Sequence, residues 1–125
     1  MQIDVSNGEL VDKVSILAIK TEKIQDPAKL ANVHKEHELL SGRMKEIGFT
    51  EETGEYRELV QVNSMLWDIE NDIRAKESAQ EFDEEFVELA RSVYINNDTR
   101  SEIKRRINER TGSELFEEKE HPGYA

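Results

Sequence analysis

The sequence predicts an all-α fold, an antiparallel helical bundle of four to five helices, and three observations carry that prediction. Apolar residues recur at three- and four-residue spacing along most of the 125-residue chain. Helix-start residues stand just before those stretches, and glycines close several of them. Strand-like alternation is confined to residues 2–5, where Ile3 and Val5 alternate with polar neighbours in a short extended N-terminal lead-in.

The first helix is marked by Ser6 as N-cap, Glu9 three residues later as the second half of a capping box, and Val5 with Leu10 at the hydrophobic-staple positions. It should run from about Asn7 to Ile24. Leu10, Val14, Leu17 and Ile24 form one stripe, widened by Val11 and Ala18, while Ile16 and Ile19 lie elsewhere around the cylinder. A helix apolar on more than one face is central in its fold or sits at a subunit contact. A homodimer through this helix is therefore one expectation. Asp26-Pro27 caps and opens the second helix, which carries Leu30, Val33, His37, Leu40, Met44 and Ile47 inward and stops at Gly48. The third begins between Thr50 and Glu55 and ends near Glu77, with Leu59, Val62, Leu66, Ile69 and Ile73 as its core stripe. Asp83 caps a fourth helix whose inward residues are Phe86, Leu89, Ala90 and Val93.

The segment Tyr94 to Asn108 departs from this pattern. If the fourth helix continued, its inward face would pass from Val93 through Asn97, Lys104 and Asn108. Burying those groups unpaired costs about 1–3 kcal/mol each. The simpler reading is a break at Asn97-Asp98, since an Asn-Asn-Asp run suits a turn and a cap. A fifth helix with Ile103 and Ile107 would then close near Gly112. The other reading is a polar pocket lined by Tyr94, Asn97, Asp98, Arg100 and Lys104. Residues 1–112 are thus expected as the bundle and 113–125 as an irregular C-terminal arm of one domain.

Composition excludes several functions. Seventeen bases against 28 acids give a net charge of −11, which repels nucleic acid and anionic membranes. No cysteine is present, so no disulfide or thiolate metal site can form. No apolar run approaches a membrane span and no secretory signal is visible, so a cytoplasmic chain is expected. Arg100, Lys104, Arg105, Arg106 and Arg110 against Glu102 and Glu109 form a basic patch. It either docks on the chain's own acidic helices or binds an anionic small molecule.

Helix three offers a second polar set, Asn63 and Glu70 one heptad apart with Trp67 and Arg74 beside them. Glu70 paired with Lys13 or Lys20 would be structural, whereas Glu70 unpaired inside a pocket would be a site candidate. Glu51-Glu52-x-x-Glu55 and Glu84-Glu85-x-x-Glu88 resemble half of the Mg²⁺-binding signature of all-α nucleotide pyrophosphohydrolases. The other half is missing, because Glu70 is followed three residues later by Ile73, and 28 acids produce such a triple roughly once by chance. His34 and His37 lack a third ligand, and no cofactor motif is present.

The strings SNGELVDKVSILAIK, VNSMLWDIENDIR and FDEEFVELARSVYINNDTRSEIKRRIN resemble successive blocks of a family of small uncharacterised helical proteins from bacteria and phages, a domain-of-unknown-function family. The resemblance spans Ile3 to Tyr124 and implies a stand-alone helical domain without implying an activity. Its most characteristic blocks are Gly8-Glu9-Leu10, Asn63 with Trp67, and Arg91 to Asn108. The candidate ligand-binding residues are therefore Asn63, Trp67, Glu70, Arg91, Tyr94, Asn97, Asp98, Arg100, Lys104 and Asn108. Two functions compete. One is a non-enzymatic interaction module that binds a partner protein, or itself as a homodimer, through helix one or the polar face around Asn97 to Lys104. The other is an enzyme or binder for an anionic, phosphorylated metabolite, with Arg100 and Lys104 holding the anion and Asp98 or Glu70 as acid/base or as a Mg²⁺ ligand in a Mg-dependent, nucleotide-pyrophosphohydrolase-like reaction.

Overall fold

The computed structural model describes residues 1–123. Among them are four helices and no strand: α1 (Asn7–Lys23), α2 (Pro27–Glu46), α3 (Gly54–Ala79) and α4 (Glu84–Thr111). The residues before α1 and those from Ser113 to Gly123 have no regular structure. Expectations for Tyr124 and Ala125 lie outside the described residues.

The helix starts follow local chemistry. Ser6 Oγ accepts from the Glu9 amide at 3.1 Å, Asp26 from Lys29 at 2.9 Å, and Asp83 from Phe86 at 3.0 Å. Each satisfies an amide that has no partner inside its helix. The capping box at α1 is only half built, because the Glu9 carboxylate turns to Lys104 instead, at 2.7 Å. Gly112 closes α4 with φ +63, a conformation that costs a residue with Cβ about 1–2 kcal/mol.

The expected break at Asn97-Asp98 does not occur. α4 is one helix of 28 residues, so the five-helix version of the fold is not formed. Asp98 is exposed and Asn97 half-buried beside solvent, and the other polar groups of this stretch are satisfied where they stand. Asn96 Nδ2 donates to the Ser92 carbonyl at 2.8 Å, and Thr99 Oγ1 to that of Ile95 at 3.3 Å. Lys104 and Asn108 are buried, and both find partners on α1.

α1 is the centre of the fold. Its backbone approaches α2, α3 and α4, α3 packs on α4, and α2 approaches α1 alone. Three neighbours account for a helix that is apolar on more than one face. Contacts run in opposite senses along α1 and α4: Asn7 meets Thr111, Gly8 meets Asn108, and Asp12 meets Arg100. The start of α3 meets the end of α4 likewise, through Glu55–Arg110 and Glu58–Arg106.

The apolar core lies toward one end, built from Val11, Val14, Met44, Phe49, Tyr56, Leu59, Val62, Ile103 and Ile107. Burial then falls away. Met44 is the one buried residue of α2, so the rest of its inward stripe is only half covered. From Trp67 to Glu102, across the α3–α4 turn, no residue is buried.

Tyr56 gives the core a pH signature. Burial, with Glu51 nearby, pushes its phenol up to about 12 from an ordinary 10.0. The folded chain keeps that proton while the unfolded chain releases it from pH 10, so stability falls between pH 10 and 12. The loss should reach about 2–3 kcal/mol at the upper end. Lys104 adds a loss of the same sign above its ordinary value. Burial works against its charge, but the hydrogen bond to Glu9 and the charges of Glu9, Asp12 and Glu117 outweigh that and raise its pKa. Urea unfolding at pH 8 and pH 11.5 should show Tyr56→Phe losing less stability than the parent. An equal loss in both would show that Tyr56 does not contribute to the alkaline instability.

Candidate functional site

The second face of α1 is where polar chemistry enters the interior. Gly8, Asp12, Ser15 and Ile19 recur there at four-, three- and four-residue steps, so they share one side of the helix. At its start, three amides that the helix leaves unpaired find side-chain acceptors. Asn7 donates to Ser113 Oγ at 3.0 Å, Gly8 to Asn108 Oδ1 at 2.6 Å, and Glu9 to Ser6. Those three amides are therefore not available to an anion.

Gly8 is required by this arrangement. A Cβ there would overlap the Lys104 carbonyl oxygen and press within 3.0 Å of Asn108 Oδ1. The two backbones approach too closely for any side chain.

One turn on, Asp12 is 1% exposed. Arg100 grips it with two donors, Nε at 2.9 Å and Nη2, and the Asn63 amide donates to it at 2.9 Å. The second Asn63 amide hydrogen goes to Ser15 Oγ at 2.9 Å, and Ser15 in turn donates to the Asp12 carbonyl. This network joins α1, α3 and α4 and holds the Arg100 pKa above its ordinary value, chiefly through the Asp12 hydrogen bond. No buried side-chain nitrogen or oxygen among the described residues lacks a partner.

The junction separates two depressions. One, of about 220 Å³, is lined by Ile16, Ile19, Asn63, Leu66, Trp67, Glu70, Asn97 and Arg100. The other, of about 200 Å³, lies on the α2 side, where Lys13 and Lys20 face Glu36 and Glu9. Lys104 and Asn108 line a third hollow under the C-terminal arm, where Glu117 reaches Lys104 at 3.3 Å.

The sequence candidates thus divide. Asn63, Trp67, Glu70, Asn97 and Arg100 come together around one cavity. Lys104 and Asn108 are given to α1 and the C-terminal arm. Arg91, Tyr94 and Asp98 lie on exposed faces of α4 and outside that cavity's lining. Glu70 pairs with neither Lys13 nor Lys20. The basic patch of α4 is spent internally: Arg100 on Asp12, Lys104 on Glu9, Arg105 on Glu109 and Glu118, Arg106 on Glu58 and Arg110 on Glu55. Asp12 and Ser15 were not among the candidates. Their signal was Ile16 and Ile19 lying off the main stripe, since those two mark a second inward face of α1 that also holds Gly8, Asp12 and Ser15.

Among the described residues no three His, Asp or Glu side chains converge where they could hold a metal ion. No helix there is long and apolar enough to cross a membrane. A helical chain with a satisfied polar junction and a shallow cavity beside it defines a class of fold, without by itself defining a reaction. Residues 1–124 match the family of unknown function DUF6165, and the chain belongs to that family. No curated protein and no solved structure was found to match it.

Proposed function

We propose that this chain is a small helical interaction module whose docking face is the distal α3–α4 hairpin, from Trp67 to Glu102. The observation that carries the reading is that no residue of this segment is buried, although it holds a continuous apolar stripe. Ile69, Ile73, Phe86, Leu89 and Val93 are half covered, while Phe82 and Val87 are more than half exposed. A helix with an apolar side reaches full stability by burying it against another element, and two helices alone cannot cover each other on every side.

The face has a definite origin. α4 meets α1 along Asn97, Lys104 and Asn108, and helical periodicity continues that line through Val93, Ala90 and Phe86. α1 stops at Lys23, so this upper stretch has no third helix over it. α1 itself is occupied by three neighbours, which leaves little of it for a dimer contact.

The reading of an anionic, phosphorylated ligand has weaker support, because Arg100 and Lys104 are already paired and Asp98 lies away from the cavity. The module is taken as a cytoplasmic domain of bacterial or phage origin, too acidic to favour nucleic acid or anionic membranes.

The test compares two exposed alanines. Ala90→Arg changes the hairpin face and Ala31→Arg changes α2, and surface substitutions of this kind should cost within about 0.5 kcal/mol. Proteins captured by the parent chain should be lost with Ala90→Arg and retained with Ala31→Arg. Equal capture by both variants would remove the hairpin as the docking face. Light scattering over a concentration series reads self-association directly.

A further inference from the structure

We infer that the occupant of the hairpin is a basic amphipathic helix, and that one of its Lys or Arg side chains enters the cavity of Asn63, Trp67, Glu70 and Asn97. This rests on the docking face proposed above and names its partner.

Charge is the first argument. Residues 67–99 hold ten acids and three bases, net −7 out of the chain's −11. One of the bases, Lys76, is already shared among Glu81, Asp83 and Glu85. A second copy of this chain would bring the same sign to the same face, and like charges set against each other oppose docking. An apolar stripe flanked by acids suits a helix with an apolar stripe flanked by bases.

The cavity at the root of the hairpin adds a second, independent argument. Asn63 has donated both amide hydrogens, to Asp12 and Ser15, so what its side chain still offers is an acceptor oxygen. Glu70 forms no hydrogen bond or ion pair with another described residue. Trp67 supplies an aromatic surface, which attracts cations. The one cation on the wall, Arg100, has its charge answered by Asp12. Ile16, Ile19 and Leu66 complete the lining. Apolar walls around acceptors and an aromatic ring match an alkyl stem with a cationic tip.

Trp67 is the chain's single tryptophan, so its fluorescence reports on this cavity without interference. The full chain is titrated with a synthetic Leu/Lys amphipathic helix of about five turns and with its Leu/Glu counterpart. The Leu/Lys peptide should shift Trp67 emission saturably, and the Leu/Glu peptide should not. Glu70→Gln should weaken the Leu/Lys peptide about tenfold, with an unchanged circular dichroism spectrum. Glu52→Gln, the same charge change on the exposed α2–α3 loop, should weaken it less than about twofold.

Equal loss in the two variants would reduce the effect to net charge and overturn the inference. So would binding of the Leu/Glu peptide, or a Trp67 signal silent to both. A concentration-dependent dimer abolished by Ala90→Arg would also overturn it, while leaving the hairpin as an interaction face. If Ala90→Arg and Ala31→Arg behave alike in capture as well, the docking face itself falls.

Discussion

Asp12→Ala should cost about 3–5 kcal/mol, the range for removing one partner of a buried charge pair. The substitution strands the Arg100 guanidinium, whose side chain is 28% exposed, and leaves one Asn63 hydrogen without its acceptor. A loss of that size is a large part of what holds a small domain together. The cost comes less from lost attraction than from a charge left in a poorly solvated place. Arg100→Met should be comparably harmful, because it leaves the Asp12 carboxylate inside with Asn63 alone. The double variant Asp12→Ala/Arg100→Met then removes both charges and should cost clearly less than the two singles added together. Urea unfolding of the four proteins supplies the comparison. Strict additivity would show that the pair does not act as a unit.

Gly8→Ala is the smallest side-chain change available and is expected to cost about 2–6 kcal/mol. In an ordinary helix interior the same change stabilises, since alanine is the better helix former. Here the new Cβ meets the Lys104 carbonyl oxygen, which belongs to the backbone of α4 and cannot rotate away. The helices must separate, and overpacking of this kind costs about 1–3 kcal/mol. Separation also stretches the 2.6 Å bond from the Gly8 amide to Asn108, whose loss costs about 1–3 kcal/mol more. Gly42→Ala is the control, because nothing lies within 4 Å of a Cβ there and that helix should gain slightly. Thermal melts of the two variants should move in opposite directions. A Gly8→Ala chain as stable as the parent would mean the two backbones can part at little cost.

Much of the fold was legible in the sequence because helix boundaries are set locally. Ser6, Asp26-Pro27, Asp83 and Gly112 each act on amides or carbonyls a few residues away, and they perform the expected roles. The break at Asn97-Asp98 was a local inference that distant partners overrode. Asn108 is acceptable inside a helix because Gly8, 100 residues earlier, presents an amide to it. No window of sequence contains both. The same limit explains α2. Periodicity identifies its inward side correctly through Met44, but it cannot say whether anything lies opposite Leu30 or Val33, and there burial is partial.

The candidate site was legible in outline. Asn63, Trp67 and Glu70 share one side of α3 by spacing alone, and Asn97 and Arg100 come to them from α4. Asp12 was missed because one acid among apolar residues reads as a surface position. Its depth follows from Arg100, Asn63 and Ser15 converging on it, which is a property of three helices together.

The start of α1 meets the end of α4. Asn7 is hydrogen-bonded to both Ser113 and Thr111, so the first helical residue is fastened to the last turn of α4 and to the residue after its cap. This sets an order of assembly. α1 precedes α4 in synthesis, so Asn108, Lys104 and Arg100, which satisfy its second face, arrive after it. Until then it has α2 to rest on, while Gly8 and Asp12 wait for partners. The α3–α4 hairpin can zip from its own turn, but the hub helix closes only once α4 has emerged. Contacts this distant in sequence are the slow ones to form.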